Sequence, residues 1–236
     1  MRHSFIGFIL LAASSCSLRA TNLTTFQLPG GSADLASEAV SAKAVFDIDA
    51  FGKLTVTLTN LTTNEVSDGQ AITGVTFNVS SLTGAITLNS QTGDRIDING
   101  GTVTDLGTGP LTHWAVSTTL PTVKLTTIGG GTPVNPILGP ESADGKYDSG
   151  NGSLGSVKNP WVVQTATFVF NSIPGFNAGN PAATVISNVA IGFGTLGTNY
   201  IATGAGVTSA TPEPGTLWLA GFCTVAFLAR RKLVRA

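Results

Sequence analysis

Leu54, Val56 and Leu58 alternate strictly with Thr55, Thr57 and Thr59. In an extended backbone successive side chains point to opposite faces, so the aliphatic residues share one side and the hydroxyls the other. The stretch is expected to be a half-buried strand, and β-branched threonine suits it sterically. Just upstream, Val45, Phe46 and Ile48 run into Ala50, Phe51 and Gly52, which read as a turn. Residues 44–60 are therefore expected to form a hairpin.

The same rule recurs along the chain. Val75, Phe77 and Val79 share a face, as do Ile86 with Leu88 and Ile96 with Ile98, and turn-forming Asp, Gly, Asn and Ser separate these runs. Val116, Val123 and Leu125 continue the series; 161–170 reads as a long apolar strand, and Val185, Val189, Ile191 and Phe193 mark the last one. No stretch of the body holds a capped 3.6-residue period, and 29 glycines with 11 prolines disfavour long helices. The expected class is all-β, an antiparallel β-sandwich or jelly roll over 44–209, with 21–43 as a lead-in segment. Residues 129–160 interrupt the pattern with Gly129, Gly130, Gly131, Gly139, Gly145, Gly150, Gly152 and Gly155 and with Pro133, Pro136, Pro140 and Pro160. A loop of this length is either functional or an excursion between sheets.

Charge and thiols narrow the chemistry. Six of the twelve basic residues, Arg2, Arg19, Arg230, Arg231, Lys232 and Arg235, lie in the terminal segments, which leaves six Lys/Arg against twelve Asp/Glu between residues 21 and 211. An acidic body with scattered cations does not bind nucleic acid, because phosphate recognition needs clustered Lys/Arg. The two cysteines, Cys16 and Cys223, are also terminal. The body accordingly has no disulfide, thiolate metal site or cysteine nucleophile.

No constellation in the body supports catalysis, and the chain is read as a non-enzyme without cofactor or metal. The triplet Gly129, Gly130, Gly131 lacks the Lys-Ser or Lys-Thr pair and helix of a phosphate loop, so it reads as a turn. His113 stands beside Trp114 with no nucleophile elbow and no orienting acid, and reads as a structural or surface residue. Glu141, Asp144 and Asp148 with Asn135 and Asn151 offer oxygen ligands for calcium, yet Lys146 falls among them and the spacing matches no EF-hand. Asp94 and Asp97 are equally non-specific, and no acid pair for glycoside hydrolysis is evident. Trp114, Tyr147, Trp161 and Tyr200 are candidates for a sugar platform, with packing as the plainer role.

Both ends are addresses. Residues 1–20 combine basic Arg2 and His3, an apolar run from Phe5 to Ala13, and small residues at Ser15, Ser17 and Ala20. This is the layout of a secretory signal peptide, and its apolar run is about half of the ~20 residues a spanning helix needs. Cys16 lacks the large aliphatic residue three positions upstream that a lipid-attachment cysteine requires. At the other end, Pro212, Glu213 and Pro214 precede an apolar run over 215–229 and then Arg230, Arg231, Lys232 and Arg235. As a helix the run rises about 22 Å, which spans a bilayer with help from its neighbours and local thinning. The basic cluster stays cytoplasmic and leaves the body outside. The two prolines keep Glu213 extended and accessible.

Three ordered parts, the Pro-Glu-Pro signature, the apolar helix and the Arg-rich terminus, resemble the PEP-CTERM sorting domain over 210–236, a tail also catalogued as an ice-binding-protein C-terminal motif. That resemblance implies recognition by exosortase, a membrane protease of Gram-negative bacteria, with a transient stay in the inner membrane and release to the cell surface or extracellular matrix. It implies no activity for the body, and the ice-binding label implies no ice binding. The leading expectation is a structural matrix component. The alternative is a carbohydrate-binding β-sandwich module for extracellular polysaccharide, with structural calcium.

Overall fold

A computed structural model describes residues 22–34, 37–63, 65–128, 133–142, 146–147, 153–155, 158–194 and 198–201. The described residues form twelve strands: β1 Asn22–Gln27, β2 Ala42–Ile48, β3 Lys53–Asn60, β4 Ile72–Val79, β5 Leu88–Asn99, β6 Thr102–Pro110, β7 Ala115–Thr119, β8 Thr122–Thr126, β9 Ile137–Leu138, β10 Trp161–Ser172, β11 Ile186–Phe193 and β12 Thr198–Ile201. Helical structure among the described residues is confined to short turns such as Asp68–Gln70 and Pro181–Ala183. The all-β class expected from the alternating pattern is what the chain adopts.

The hairpin at 44–60 forms as the alternation dictates. β2 and β3 pair antiparallel from Ala42↔Asn60 to Ile48↔Leu54, and Leu54, Val56 and Leu58 are fully buried. Gly52 closes the turn with a φ of 79°, a conformation that costs a residue with a Cβ. The segment expected as a lead-in contributes a strand of its own: β1 pairs antiparallel with β2 from Asn22↔Ile48 to Gln27↔Lys43. Its Thr24 and Phe26 turn inward, but only these two positions of the strand are buried, which leaves a weak alternating signal.

Two antiparallel ladders result. One runs β1-β2-β3-β10-β5-β6 and the other β12-β11-β4-β8-β7. The two-residue β9 joins them, parallel to β10 through Val162↔Ile137 and antiparallel to β4 through Ile72↔Ile137. Hydrogen bonding is therefore continuous through one twelve-stranded sheet. Ile137 and Leu138, within the Gly-rich stretch, carry this link, so their backbone satisfies strand groups on both sides at once.

The main core lies between the ladders. Phe46 of β2 meets Phe77 of β4 at 4.9 Å between ring centroids, Phe77 meets Phe170 of β10 at 6.5 Å, and Phe26 of β1 meets Phe46 at 5.7 Å. All three contacts are edge-to-face, the arrangement the ring quadrupole favours. Val56, Leu58, Phe168, Val123, Leu125 and Ile191 fill the same space. A second, smaller cluster gathers Trp161, Ile96, Ile98, Leu138, Tyr147, Leu154 and Ala71. Trp161 pairs with Ile96 across β10 and β5, while its neighbour Val162 belongs to the main core. Adjacent residues of a strand face opposite ways, so the second cluster lies on the outer side of the first ladder, where Tyr147 and Leu154 of the 129–160 excursion cover it.

Among the described residues no helix is long and apolar enough to cross a membrane. The signal peptide at 1–20 and the helix expected over 215–229 lie outside them.

Candidate functional site

The sorting residues Pro212, Glu213, Pro214, Arg230, Arg231, Lys232 and Arg235 lie outside the described residues. The described chain ends in β12, which runs antiparallel to β11 with Tyr200 opposite Ile191 and Ile201 opposite Ala190. In sequence, residues 202–211 separate this strand from Pro212.

Within the body, the residues singled out for chemistry are dispersed. His113 is exposed at a φ of 69°, and its Nδ1 sits 2.9 Å from the Thr112 hydroxyl. Trp114 is buried against Phe168 at 4.7 Å and donates its indole N–H to the Asn135 carbonyl. Asn135 in turn accepts from the Thr112 N–H through Oδ1 and donates from Nδ2 to the Pro160 carbonyl. It is a brace between the Gly-rich excursion and the strands, not a free ligand. Trp161 and Tyr147 are buried as well, so none of these three rings offers a platform to a sugar.

The acids fare similarly. Asp94 accepts from the Thr108 hydroxyl across the β5–β6 hairpin, and Glu141 is exposed. Asp144, Asp148 and Asn151 lie outside the described residues. Among the described residues no three His, Cys, Asp or Glu side chains stand close enough to hold a metal.

What the fold does assemble is a buried polar seam beside the small cluster, where β9 joins the ladders. Its centre is Glu65, 3 % exposed. The Asn60 side-chain amide donates to Glu65 Oε1 at 2.7 Å and also to the carbonyls of Gln70 at 3.0 Å and Ile137 at 2.9 Å. Asn60 Oδ1 accepts from the Thr62 N–H. Gln70 closes the other side, accepting from the N–H groups of Val66 and Ser67 and donating to the Ala39 carbonyl. Two amide side chains therefore satisfy the backbone of a chain reversal that has no ladder partner, as buried polar groups demand.

Gly139 connects Glu65 to Tyr147. Its N–H donates to the Glu65 carboxyl, and its carbonyl accepts from the Tyr147 hydroxyl at 2.8 Å. A Cβ at Gly139 would run into the Thr62 carbonyl, so only glycine lets β9 approach this closely. Burial pushes the Glu65 carboxyl well above the ordinary carboxylate range, against the opposing pull of the Gly139 and Asn60 hydrogen bonds. Its Oε2 has no hydrogen-bond partner among the described residues. Burial likewise raises the Tyr147 phenol, with the charges of Glu65 and Glu141 adding to the effect. A carboxyl in this setting favours its neutral form. The seam bears on folding and on proton uptake, and its groups face one another.

Sequence reasoning did not find Glu65, Gln70 or the role of Asn60. Each is a single polar residue in a turn-rich stretch, with no spacing that distinguishes it from a solvated one.

A protein-family comparison matches residues 210–232 to the PEP-CTERM protein-sorting motif. Neither curated proteins nor solved structures give a significant match. The matched span holds Pro212, Glu213, Pro214, Arg230, Arg231 and Lys232, while Arg235 falls beyond it. The chain carries a PEP-CTERM protein-sorting motif, the mark of an exported protein sorted by exosortase.

Proposed function

We propose that this protein is a non-enzymatic component of the cell surface or extracellular matrix, delivered through its PEP-CTERM tail. The observation that carries the reading is the match at 210–232, placed behind a signal-peptide-like start. In this reading exosortase engages the Pro212, Glu213, Pro214 segment at the inner membrane while the 215–229 helix and the basic cluster hold the chain in place. The two ladders form the layers of a β-sandwich, and this domain is the cargo. Support for a structural role comes from the disposition of the polar groups: among the described residues His113 meets only a neighbouring hydroxyl, and the buried carboxyl of Glu65 accepts from the Asn60 amide.

The test is cell fractionation of the intact chain beside a variant with Pro212, Glu213 and Pro214 all changed to alanine. The intact chain is expected in the surface or extracellular fraction, and the variant in the membrane fraction at its unprocessed size. Identical distribution and size for both would remove the sorting argument.

A further inference from the structure

Asp68 and Lys158 lie ninety positions apart in sequence, one in the turn between β3 and β4 and the other just before β10. In the fold the Lys158 Nζ and Asp68 Oδ2 are in direct contact, with the side chains only 12 % and 22 % exposed. The Trp161 ring stands 6.0 Å from the Nζ, and Trp161 itself is fully buried. Both partners are held from behind. The Asp68 N–H donates to the Ser153 hydroxyl, and the Gln70 side chain fixes the preceding turn. Asn159, next to Lys158, makes reciprocal bonds with the backbone of Ile98, accepting from its N–H at 3.0 Å and donating to its carbonyl at 3.2 Å. The Asp34 carboxylate lies against Gly69, so a side chain there would have to displace it.

An exposed Lys–Asp pair is two solvated ions that drift in and out of contact. Here two short turns hold an amine and a carboxyl together beside an indole, in a body without a single cysteine. Removal from water destabilises the charged pair relative to the neutral amine and acid, and burial lowers the basicity of Lys158. A neutral amine held against a neutral carboxyl oxygen is a nucleophile one bond from its electrophilic Cγ, an arrangement that replaces a bimolecular encounter by a unimolecular step.

We propose that Asp68 and Lys158 condense into an intramolecular isopeptide bond that cross-links the exported body. One ammonium proton passes to the carboxylate, giving an amine and a carboxylic acid. The Nζ lone pair then attacks Cγ, a second Nζ proton moves to the departing oxygen, and the Cγ–O bond breaks. The ammonium and carboxylate become one amide and one water, and no oxidant, cofactor or activating group is consumed. The bond would close a loop containing β4 through β9 and so constrain the unfolded chain as a disulfide does.

Intact-mass spectrometry of the purified full chain, denatured after folding, is the test. The wild type is expected to be lighter than its sequence by one water. Trypsin should fail to cut after Lys158 and should yield a branched peptide joining the segment around Asp68 to the one around Lys158. Lys158→Met should restore the full sequence mass. Wild-type protein with a cooperative melt and its full mass overturns the proposal. So does a deficit that persists in Lys158→Met, which would mark a succinimide at Asp68 and Gly69 instead. The wild-type reading stands without any variant, so it survives a Lys158→Met chain that fails to fold.

Discussion

The two buried clusters are built on different principles. Between the ladders, Phe26, Phe46, Phe77 and Phe170 meet edge to face among aliphatic residues, and these rings carry no group that needs a hydrogen-bond partner. Beside β9, Trp161, Tyr147 and Leu138 pack next to a seam in which Asn60, Glu65 and Gln70 do the work of absent strand partners. The first region is stabilised by area removed from water, which is insensitive to pH. The second depends on each polar group finding its partner and on one carboxyl keeping its proton.

Removing a ring from the main core should give the largest effect. Phe77 is fully buried between Phe46 and Phe170, and Phe77→Ala leaves a cavity that the two β-layers cannot close. A loss of about 3–5 kcal/mol is expected by denaturant unfolding. A loss below about 1 kcal/mol would mean that the ladders do not pack as a rigid core there.

Asn60→Ala should come next. It removes the donor to Glu65 and to the carbonyls of Gln70 and Ile137 and leaves buried acceptors unpaired, at a cost of about 2–3 kcal/mol. Hydrogen exchange sharpens the contrast with Phe77→Ala: protection should fall first at β9 and the Gly139 N–H, with the β2–β3 hairpin affected less. Uniform loss across both regions would erase the distinction.

These two variants also divide what the sequence makes legible from what it does not. The position of Phe77 on a buried face follows from its alternation with Thr76 and Asn78, because burial on one face of a strand imprints a period on the chain. Strands β2, β3, β4, β8, β10 and β11 were readable on that ground. β1 and β6 were not: β1 buries little, and β6 is an edge strand with no fully buried residue, so its composition is that of a turn. β9 is two residues long, too short for any period, yet it decides that the sheet is continuous. Asn60 reads as an ordinary turn residue because its three acceptor partners are supplied by Glu65, Gln70 and Ile137, and only the last depends on a distant contact. The sorting motif was legible for a different reason, since its signal lies in the order of its residues and not in a fold.

The pH dependence separates the regions without touching packing. The folded state raises the Glu65 carboxyl above its unfolded value of about 4.5, so it binds the proton more tightly than the unfolded chain does. That stability is fully present below the unfolded value and is lost as pH rises through the folded one. The free energy of unfolding should therefore increase on acidification across this window. Asp47, also raised, by burial and the nearby charge of Asp49, contributes with the same sign. Glu65→Gln keeps an acceptor for Asn60 and cannot ionise, so its unfolding should show a shallower pH slope than wild type. An unchanged slope would place the linked proton elsewhere.

Tyr147→Phe should give the smallest effect and the finest test. The ring stays in the small cluster, and only the hydroxyl that donates to the Gly139 carbonyl is lost. A hydrogen bond of this kind contributes about 0.5–1.5 kcal/mol. Because Gly139 also donates to Glu65, loss of the phenol should loosen the link that holds the carboxyl. Tyr147→Phe and Glu65→Gln share this partner, so a double-mutant cycle between them should be non-additive. The cycle between Tyr147→Phe and Phe77→Ala should be additive, since among the described residues no hydrogen bond joins the two clusters at those positions. Additivity in the first pair would show that Gly139 transmits nothing, and that the seam consists of independent contacts.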